Sequence, residues 1–323
     1  SLQSESRTPG SCTTPAPGPA AGFSNMSLAL AFSNRRVLLF SPLARTNQRK
    51  AISFCTVRMP TGTAPSHSFT LPIQPDQPVH VVATPDVTSS QFWDAIGSTL
   101  FKKWLENLQS DDGILATGSF LLKQVLIQGV DMFGPRVGFL KFKAYIADAK
   151  TGQHLPGIVF ARGPAVAVLI LLECDGETYA VLTEQARVPT GRYVLELPAG
   201  MIDDGNDDVV GTAVREVEEE TGIHLNMKEL VDLTALLNPS SGAKIIPSPG
   251  GCDEEISLFL YRGAAEREMI GRLESRKGGM HEHGEFINVR VVPYAALWRA
   301  TNDVKVLSSI ALYEMAKREG LLS

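Results

Sequence analysis

The chain has 323 residues, 44% of them hydrophobic and 20% charged, and a formal net charge of -5. That length accommodates one catalytic domain with additions, and that charge balance gives no sign of a polyanion-binding surface, so nucleic acid is not expected as a partner. The four cysteines, Cys12, Cys55, Cys174 and Cys252, stand too far apart for a metal knuckle or redox motif, and the longest apolar run, Ala165 to Leu172, is too short to cross a bilayer, so neither a transmembrane helix nor a membrane partner is expected.

Residues 1 to 70 are rich in Ser, Thr, Ala and Pro and carry Arg7, Arg35, Arg36, Arg45, Arg49, Lys50 and Arg58 against Glu5 alone. An organelle transit peptide has this composition, since it stays unfolded and positively charged; a plain disordered tail is the alternative. Met26 opens a stretch (MSLALAFSNRRVLLFSPLAR) suited to begin such a peptide, which makes residues 1 to 25 read as vector or untranslated sequence.

Residues 71 to 157 read as a small α+β unit. A strand is expected at Val79 to Ala83. A helix follows from about Ser90 to Leu108, where Phe92, Trp93, Ile96, Leu100, Trp104, Leu105 and Leu108 recur at spacings of three and four, with Ser89 or Ser90 as cap. Strands follow at about Phe120 to Ile127 and Val137 to Ile146. With no cluster of reactive side chains, the unit is read as structural or dimer-forming, with substrate contact as the lesser alternative.

Residues 158 to 323 alternate strands and helices. Strands are expected at Ala165 to Leu172, Thr178 to Thr183, Tyr193 to Glu196, Leu230 to Leu237, Ile256 to Tyr261 and Ile287 to Val292. Helices are expected at about Asp207 to Thr221, Pro293 to Thr301 and Val304 to Glu319. This order predicts an α/β domain with helices on both faces of a mixed sheet.

The chemistry concentrates in Leu197 to Ile223, LPAGMIDDGNDDVVGTAVREVEEETGI. On a helical wheel of about 100° per residue, Val210, Val214 and Val217 share one face, and Glu216, Glu219 and Glu220 lie on its edge. Three carboxylates within a turn repel one another unless something compensates them. A divalent cation would do so, because Mg²⁺ prefers carboxylate oxygens and bridges to phosphates; a solvated charged helix face is the plainer reading of three glutamates alone.

The segment resembles the signature of the Nudix superfamily, G-x5-E-x7-R-E-U-x-E-E-x-G-U with U aliphatic. The match is complete at Arg215, Glu216, Val217, Glu219, Glu220, Gly222 and Ile223. Upstream the loop carries one extra residue, so Asn206 or Asp207 falls where the first glutamate belongs, and Asp207 or Asp208 is its substitute. The resemblance implies a Nudix α/β/α sandwich and a metal site of Glu216 and Glu220, with Glu219 additional or water-mediated. It also implies the Ala199 carbonyl as a ligand and Arg215 as the group orienting the carboxylates. Mg²⁺ is the implied ion, with Mn²⁺ as the alternative.

The flanks resemble the ADP-ribose and ADP-sugar diphosphatase branch of that superfamily. The features are Gln185 with Arg187, and Ser248 to Gly251 followed by Asp253, Glu254 and Glu255. Arg187 and Arg162 are candidate phosphate-binding forks, or else surface charge. Gly250, Gly251 and Glu254 are candidate substrate contacts, or else a turn cluster. For the base that activates water the branch points to Gly279 to Asn288, where Glu285 is preferred over Glu282, and His281 and His283 are read as solvated. From about residue 70 onward the chain is most similar to plant chloroplast ADP-sugar diphosphatases. That likeness implies cleavage of ADP-glucose or ADP-ribose to AMP and a sugar 1-phosphate, a plastid location and a homodimer. UDP-glucose or NADH as substrate, and a non-catalytic nucleotide-sensing module, are the alternatives.

Overall fold

The computed structural model of the chain describes residues 67–73, 77–202, 208–279 and 286–322. The transit-like segment through residue 66 therefore lies outside the described residues, as do Asn206, Asp207, His281, Glu282, His283 and Glu285.

The first layer is a five-stranded sheet in the order β1-β2-β3-β4-β5, comprising β1 (Ser68–Leu71), β2 (Val79–Ala83), β3 (Phe120–Phe133), β4 (Arg136–Asp148) and β5 (Ile158–Ala161). Two helices, α1 (Ser89–Gly97) and α2 (Thr99–Gln109), connect β2 to β3, which run parallel. They replace the single helix expected over Ser90 to Leu108. The break lies at Ser98, whose backbone is extended and whose hydroxyl accepts the Phe101 N–H, starting a new helix where the old one would have continued. Thr88, not Ser89 or Ser90, caps α1 through a capping box with Gln91. Phe92, Ala95, Leu100, Phe101 and Leu108 still bury one face against the sheet. β5 begins at Ile158, where the second unit was expected to open, but pairs with β4 and completes the first sheet.

The second sheet runs β10-β11-β6-β7-β13-β12, with β8 on β7 and β9 on β6. Its strands are β6 (Ala165–Cys174), β7 (Glu177–Arg187), β8 (Arg192–Glu196), β9 (Ala199–Met201), β10 (Val231–Asp232), β11 (Ile256–Ala264), β12 (Lys277–Gly278) and β13 (Ile287–Pro293). β6 and β11 are parallel and the other pairs antiparallel, so the sheet is mixed. The apolar run of β6 serves both faces. Ala167, Leu169 and Leu171 meet Leu297, Val306 and Tyr313 of α5 (Tyr294–Ala300) and α6 (Val304–Arg318). Val166, Val168 and Ile170 meet Ala213 and Val217 of α3 (Val209–Thr221), and Ile270 and Leu273 of α4 (Arg267–Glu274). A strand covered on both sides has no polar positions to alternate. The result is the expected α/β/α sandwich.

Two local expectations fail. Leu230 to Leu237 is strand only at Val231–Asp232, because the Asp232 carboxylate accepts from the Thr234 hydroxyl at 2.6 Å and the Ala235 N–H at 3.0 Å, turning the chain into a 3₁₀ segment. Helix α4 is absent from the expected elements; its polar surface encloses only Ile270 and Leu273 as buried positions, a weak periodic signal.

Candidate functional site

The site is built where β9 crosses the face of α3. Asp208, one of the two residues considered for the altered glutamate position, instead caps α3, its carboxylate accepting the Gly211 N–H at 2.8 Å. Ala213 and Val217 anchor the helix in the core, and this leaves Glu216, Glu219 and Glu220 toward its edge. Gly222, left-handed at φ 69°, ends it.

β9 is held antiparallel to β6, with Gly200 opposite Val166 and Ala199 opposite Ala167. A Cβ on Gly200 would lie 2.0 Å from the Glu216 carboxyl carbon, so only glycine lets that side chain rest on the strand. Glu220, 6% exposed, rests there too: one oxygen accepts the Ala199 N–H at 3.1 Å and the other the Gln185 amide at 3.0 Å. Arg215 Nη1 stands 3.2 Å from Glu216 Oε1 and 3.6 Å from Glu219 Oε2. Five expected site residues, Ala199, Arg215, Glu216, Glu219 and Glu220, are thus brought together.

β12 closes the far end of α3. A Cβ on Gly278 would overlap the Glu220 carbonyl, and the Gly279 N–H points to the Glu219 carbonyl at 3.4 Å. These two glycines are the described residues that lead into the segment holding the expected bases, Glu282 and Glu285, which themselves lie outside the described residues.

Among the described residues no three His, Cys, Asp or Glu side chains are gathered closely enough to cage a metal ion. Mg²⁺ does not require such a cage, because it commonly binds through one or two carboxylates and fills its remaining positions with water and substrate phosphate. The donor set fits that pattern: two carboxylates laid on one short strand, over a glycine whose missing Cβ leaves the space for them.

Arg187, the first expected phosphate ligand, lies at the end of β7. Its guanidinium is bidentate on Glu196, with Nε to Oε1 at 2.6 Å and Nη2 to Oε2 at 3.2 Å. Lys305 donates to the same Glu196 Oε2 at 2.7 Å and to Asp303 at 3.1 Å. Burial pushes the Glu196 carboxyl upward, but Arg187 and Lys305 outweigh it and hold that group below the usual carboxylate range. Burial likewise pulls the Arg187 guanidinium down, while Glu196, Glu220 and Asp303 lift it above its ordinary value. Gln185, two residues before Arg187 on the same face of β7, donates to Glu220, so the cluster adjoins the α3 carboxylates. The sequence reading named Arg187 but missed Glu196, Lys305 and Asp303; a glutamate ending the hydrophobic strand RYVLE was the available signal.

Arg162, the second expected phosphate ligand, stands at the other end of β9. Its side chain donates to Met201 Sδ at 3.1 Å, lies 3.4 Å from Glu254 and passes over the Phe139 ring of the first sheet at 5.6 Å. Its N–H and that of Gly163 donate to Asp253 at 2.8 and 3.3 Å. Glu254 is therefore joined to the site through Arg162. Gly250 and Gly251 face open space, and the Gly251 carbonyl accepts the Phe160 N–H of β5 at 2.8 Å, tying the Ser-Pro-Gly-Gly turn to the first sheet. Burial pushes the Cys252 thiol up, which leaves it a poor nucleophile.

Residues 161–310 match the family model described as the NUDIX domain. Nudix hydrolase 14, chloroplastic, of Arabidopsis thaliana is 68% identical over 258 residues, 80% of this chain and 84% of the relative. The methanol dehydrogenase activator of Bacillus methanolicus is 29% identical over 154 residues, 48% of this chain and 74% of that one. The ADP-ribose pyrophosphatase of Bacillus subtilis is 36% identical over 96 residues, 30% of this chain and 44% of that one.

Proposed function

The chain belongs to the Nudix family, and we propose that this Nudix hydrolase cleaves the diphosphate of ADP-sugars. ADP-glucose would yield AMP and glucose 1-phosphate; ADP-ribose would yield AMP and ribose 5-phosphate rather than a sugar 1-phosphate, because its diphosphate is joined to the ribose 5′-oxygen. The observation that carries this reading is the laying of Glu216 and Glu220 on β9, with Gly200 making the room. The names of two relatives support the remainder, one an ADP-ribose pyrophosphatase and one chloroplastic; a plastid location is proposed on the second of these.

Glu216 and Glu220 would hold Mg²⁺, or Mn²⁺ in its place, with Glu219 and the Ala199 carbonyl as further ligands. The ion supplies neutralisation of diphosphate charge and acidification of a bound water. Arg215 orients Glu216 and Glu219, and Gln185 with the Ala199 N–H fixes Glu220. Arg187, two residues along β7 from the Gln185 that donates to Glu220, and Arg162, at Met201 of β9, would clamp the two phosphates, with Glu254 setting the pose of Arg162. Gly250 and Gly251 would let the nucleotide approach backbone. Glu285, or Glu282, would take the proton from the attacking water. A homodimer joined through the five-stranded sheet is part of the same proposal.

The test is release of AMP from ADP-glucose, ADP-ribose, UDP-glucose and NADH by the purified protein, with Mg²⁺ and with chelator, beside Glu220→Gln. Metal-dependent turnover ranked toward the ADP-sugars is expected, with the variant about a thousandfold slower because several kcal/mol of charge stabilisation is lost. Preference for UDP-glucose or NADH would overturn the substrate, and binding without cleavage under either metal would replace the enzyme by a sensing module.

A further inference from the structure

Ser257 places a hydroxyl in an otherwise apolar stretch of β11. It is 1% exposed, between Ile256 and Leu258, and alternates with Phe259 onto the face of the sheet that α3 and α4 cover. Its oxygen accepts from the Lys244 ammonium at 2.6 Å. Ile245 pairs antiparallel with Ile256 and packs with it on the opposite face. Lys244 therefore stands across from Ser257 and shares the α3 face with it. To bring it there the chain is left-handed at Gly242, φ 77°, and again at Ala243, φ 51°. A side chain is strained in that conformation, and such strain is kept where the fold must hold a neighbouring group in place, as at binding sites.

Ser257 lies opposite Val166 on one side of β6, and Gly200 lies opposite Val166 on the other. With adjacent strands about 4.8 Å apart, Ser257 is about 10 Å from the glycine on which Glu216 rests. Arg162, just ahead of β6, and Arg187, the last residue of β7, mark the same end of the sheet. Lys244 is half-buried, and among the described residues its ammonium has a neutral hydroxyl for a partner and no carboxylate within ion-pair distance. Lys305, also drawn in from solvent, is met by both Glu196 and Asp303. A cation drawn partly out of water onto a neutral partner lacks the counter-charge that offsets its desolvation, and an ammonium has three N–H bonds to give. We propose that Lys244 is a substrate-binding residue that donates to the diphosphate from the β11 side of the site, with Arg187 on the β7 side and the α3 carboxylates, over β9, between them. This rests on the diphosphate binding at those carboxylates as described above. A lysine serving only to latch its loop to β11 would need the hydrogen bond to Ser257 but not the charge.

The experiment compares wild type, Lys244→Gln, Lys244→Arg and Ser257→Ala. Calorimetric affinity for ADP with Mg²⁺ present is one readout, KM and kcat for ADP-ribose are the second, and Tm is the third. Lys244→Gln keeps a donor for Ser257 and removes the charge. It is expected to weaken ADP binding and raise KM about ten- to a hundredfold, the range of a hydrogen bond to a charged group, with kcat within about threefold. Lys244→Arg keeps the charge and is expected to bind ADP more tightly than Lys244→Gln. Ser257→Ala removes only the hydroxyl and is expected to cost less ADP affinity than Lys244→Gln. Unchanged ADP affinity in Lys244→Gln, or an equal loss in Ser257→Ala with a lowered Tm, would reduce the contact to a latch and overturn the proposal. If Lys244→Gln does not fold, the double variant Lys244→Met/Ser257→Ala, which leaves neither group without its partner, takes its place; the same loss of ADP affinity is expected, and its absence counts against the proposal. A wild type that binds ADP but hydrolyses no nucleotide sugar would defeat the enzymatic reading and leave the ADP arms as the test of this one. A wild type that neither binds ADP nor hydrolyses a nucleotide sugar overturns both.

Discussion

Glu220 and Glu196 are both buried and lie a short distance apart along the chain, yet their surroundings differ. Glu220 accepts from the Gln185 amide and the Ala199 N–H, neutral donors that fix its direction. Glu196 accepts from Arg187 and Lys305, cations that balance its charge. The first arrangement aims a carboxylate that we propose as a metal ligand; the second balances a buried charge with cations inside the protein. Residue type and burial are nearly constant across the pair, so these donors are what distinguish the proposed ligand from the counterion.

The contrast is sharpest if one substitution is made in both regions. Glu220→Gln is expected to cost about a thousandfold in kcat/KM while moving Tm little. Glu196→Gln is expected to remove about 2 kcal/mol of stability, the scale of hydrogen bonds between charged groups, and to act on KM rather than kcat. Activity assays beside thermal melts check both. The comparison breaks if Glu220→Gln unfolds the chain or if Glu196→Gln abolishes turnover at saturating substrate.

How much of this was legible follows from where the partners sit. Arg215, Glu216, Glu219 and Glu220 lie within two turns of one helix, so periodicity alone groups them, and the preceding glycine strand is adjacent in sequence. Lys305 is 109 residues from Glu196, and no pattern joins them before α6 has docked on the sheet. The contact with Glu216 that requires Gly200 appears only once β9 pairs with β6. The split of the first helix at Ser98 turned on a side-chain cap that competes with continued helix, which hydrophobic spacing does not register.

Gly200→Ala tests the geometry of the first region without touching a charge. A methyl group 2.0 Å from the Glu216 carboxyl carbon forces that side chain or β9 to move. A loss of about 10- to 100-fold in kcat/KM is expected, partly recovered at high Mg²⁺. Full activity at ordinary Mg²⁺ would mean that Glu216 does not need its place on the strand.

A smaller effect is expected one contact further out. Gln185→Leu removes the donor to Glu220 Oε1 and keeps the Ala199 N–H on Oε2. The Mg²⁺ concentration giving half-maximal activity should rise about tenfold while kcat at saturating metal stays within about threefold. A metal titration reads both quantities, and an unchanged midpoint would show that the backbone donor suffices to aim the carboxylate.

The smallest effect separates the regions by pH. The Glu196 carboxyl is held below its ordinary range in the folded chain, chiefly against the upward push of burial, by Arg187 and Lys305. A depressed carboxyl contributes stability that is fully present above its unfolded value, about 4.3, and is lost as pH falls through the folded one. The Tm gap between wild type and Glu196→Gln should therefore be constant from neutral pH to about 5.5, then shrink as the pH is lowered toward 3. Other carboxylates titrate in both proteins and cancel in the difference. A gap that persists undiminished at pH 3 would mean that the carboxylate's packing, rather than its charge, is what the second region uses.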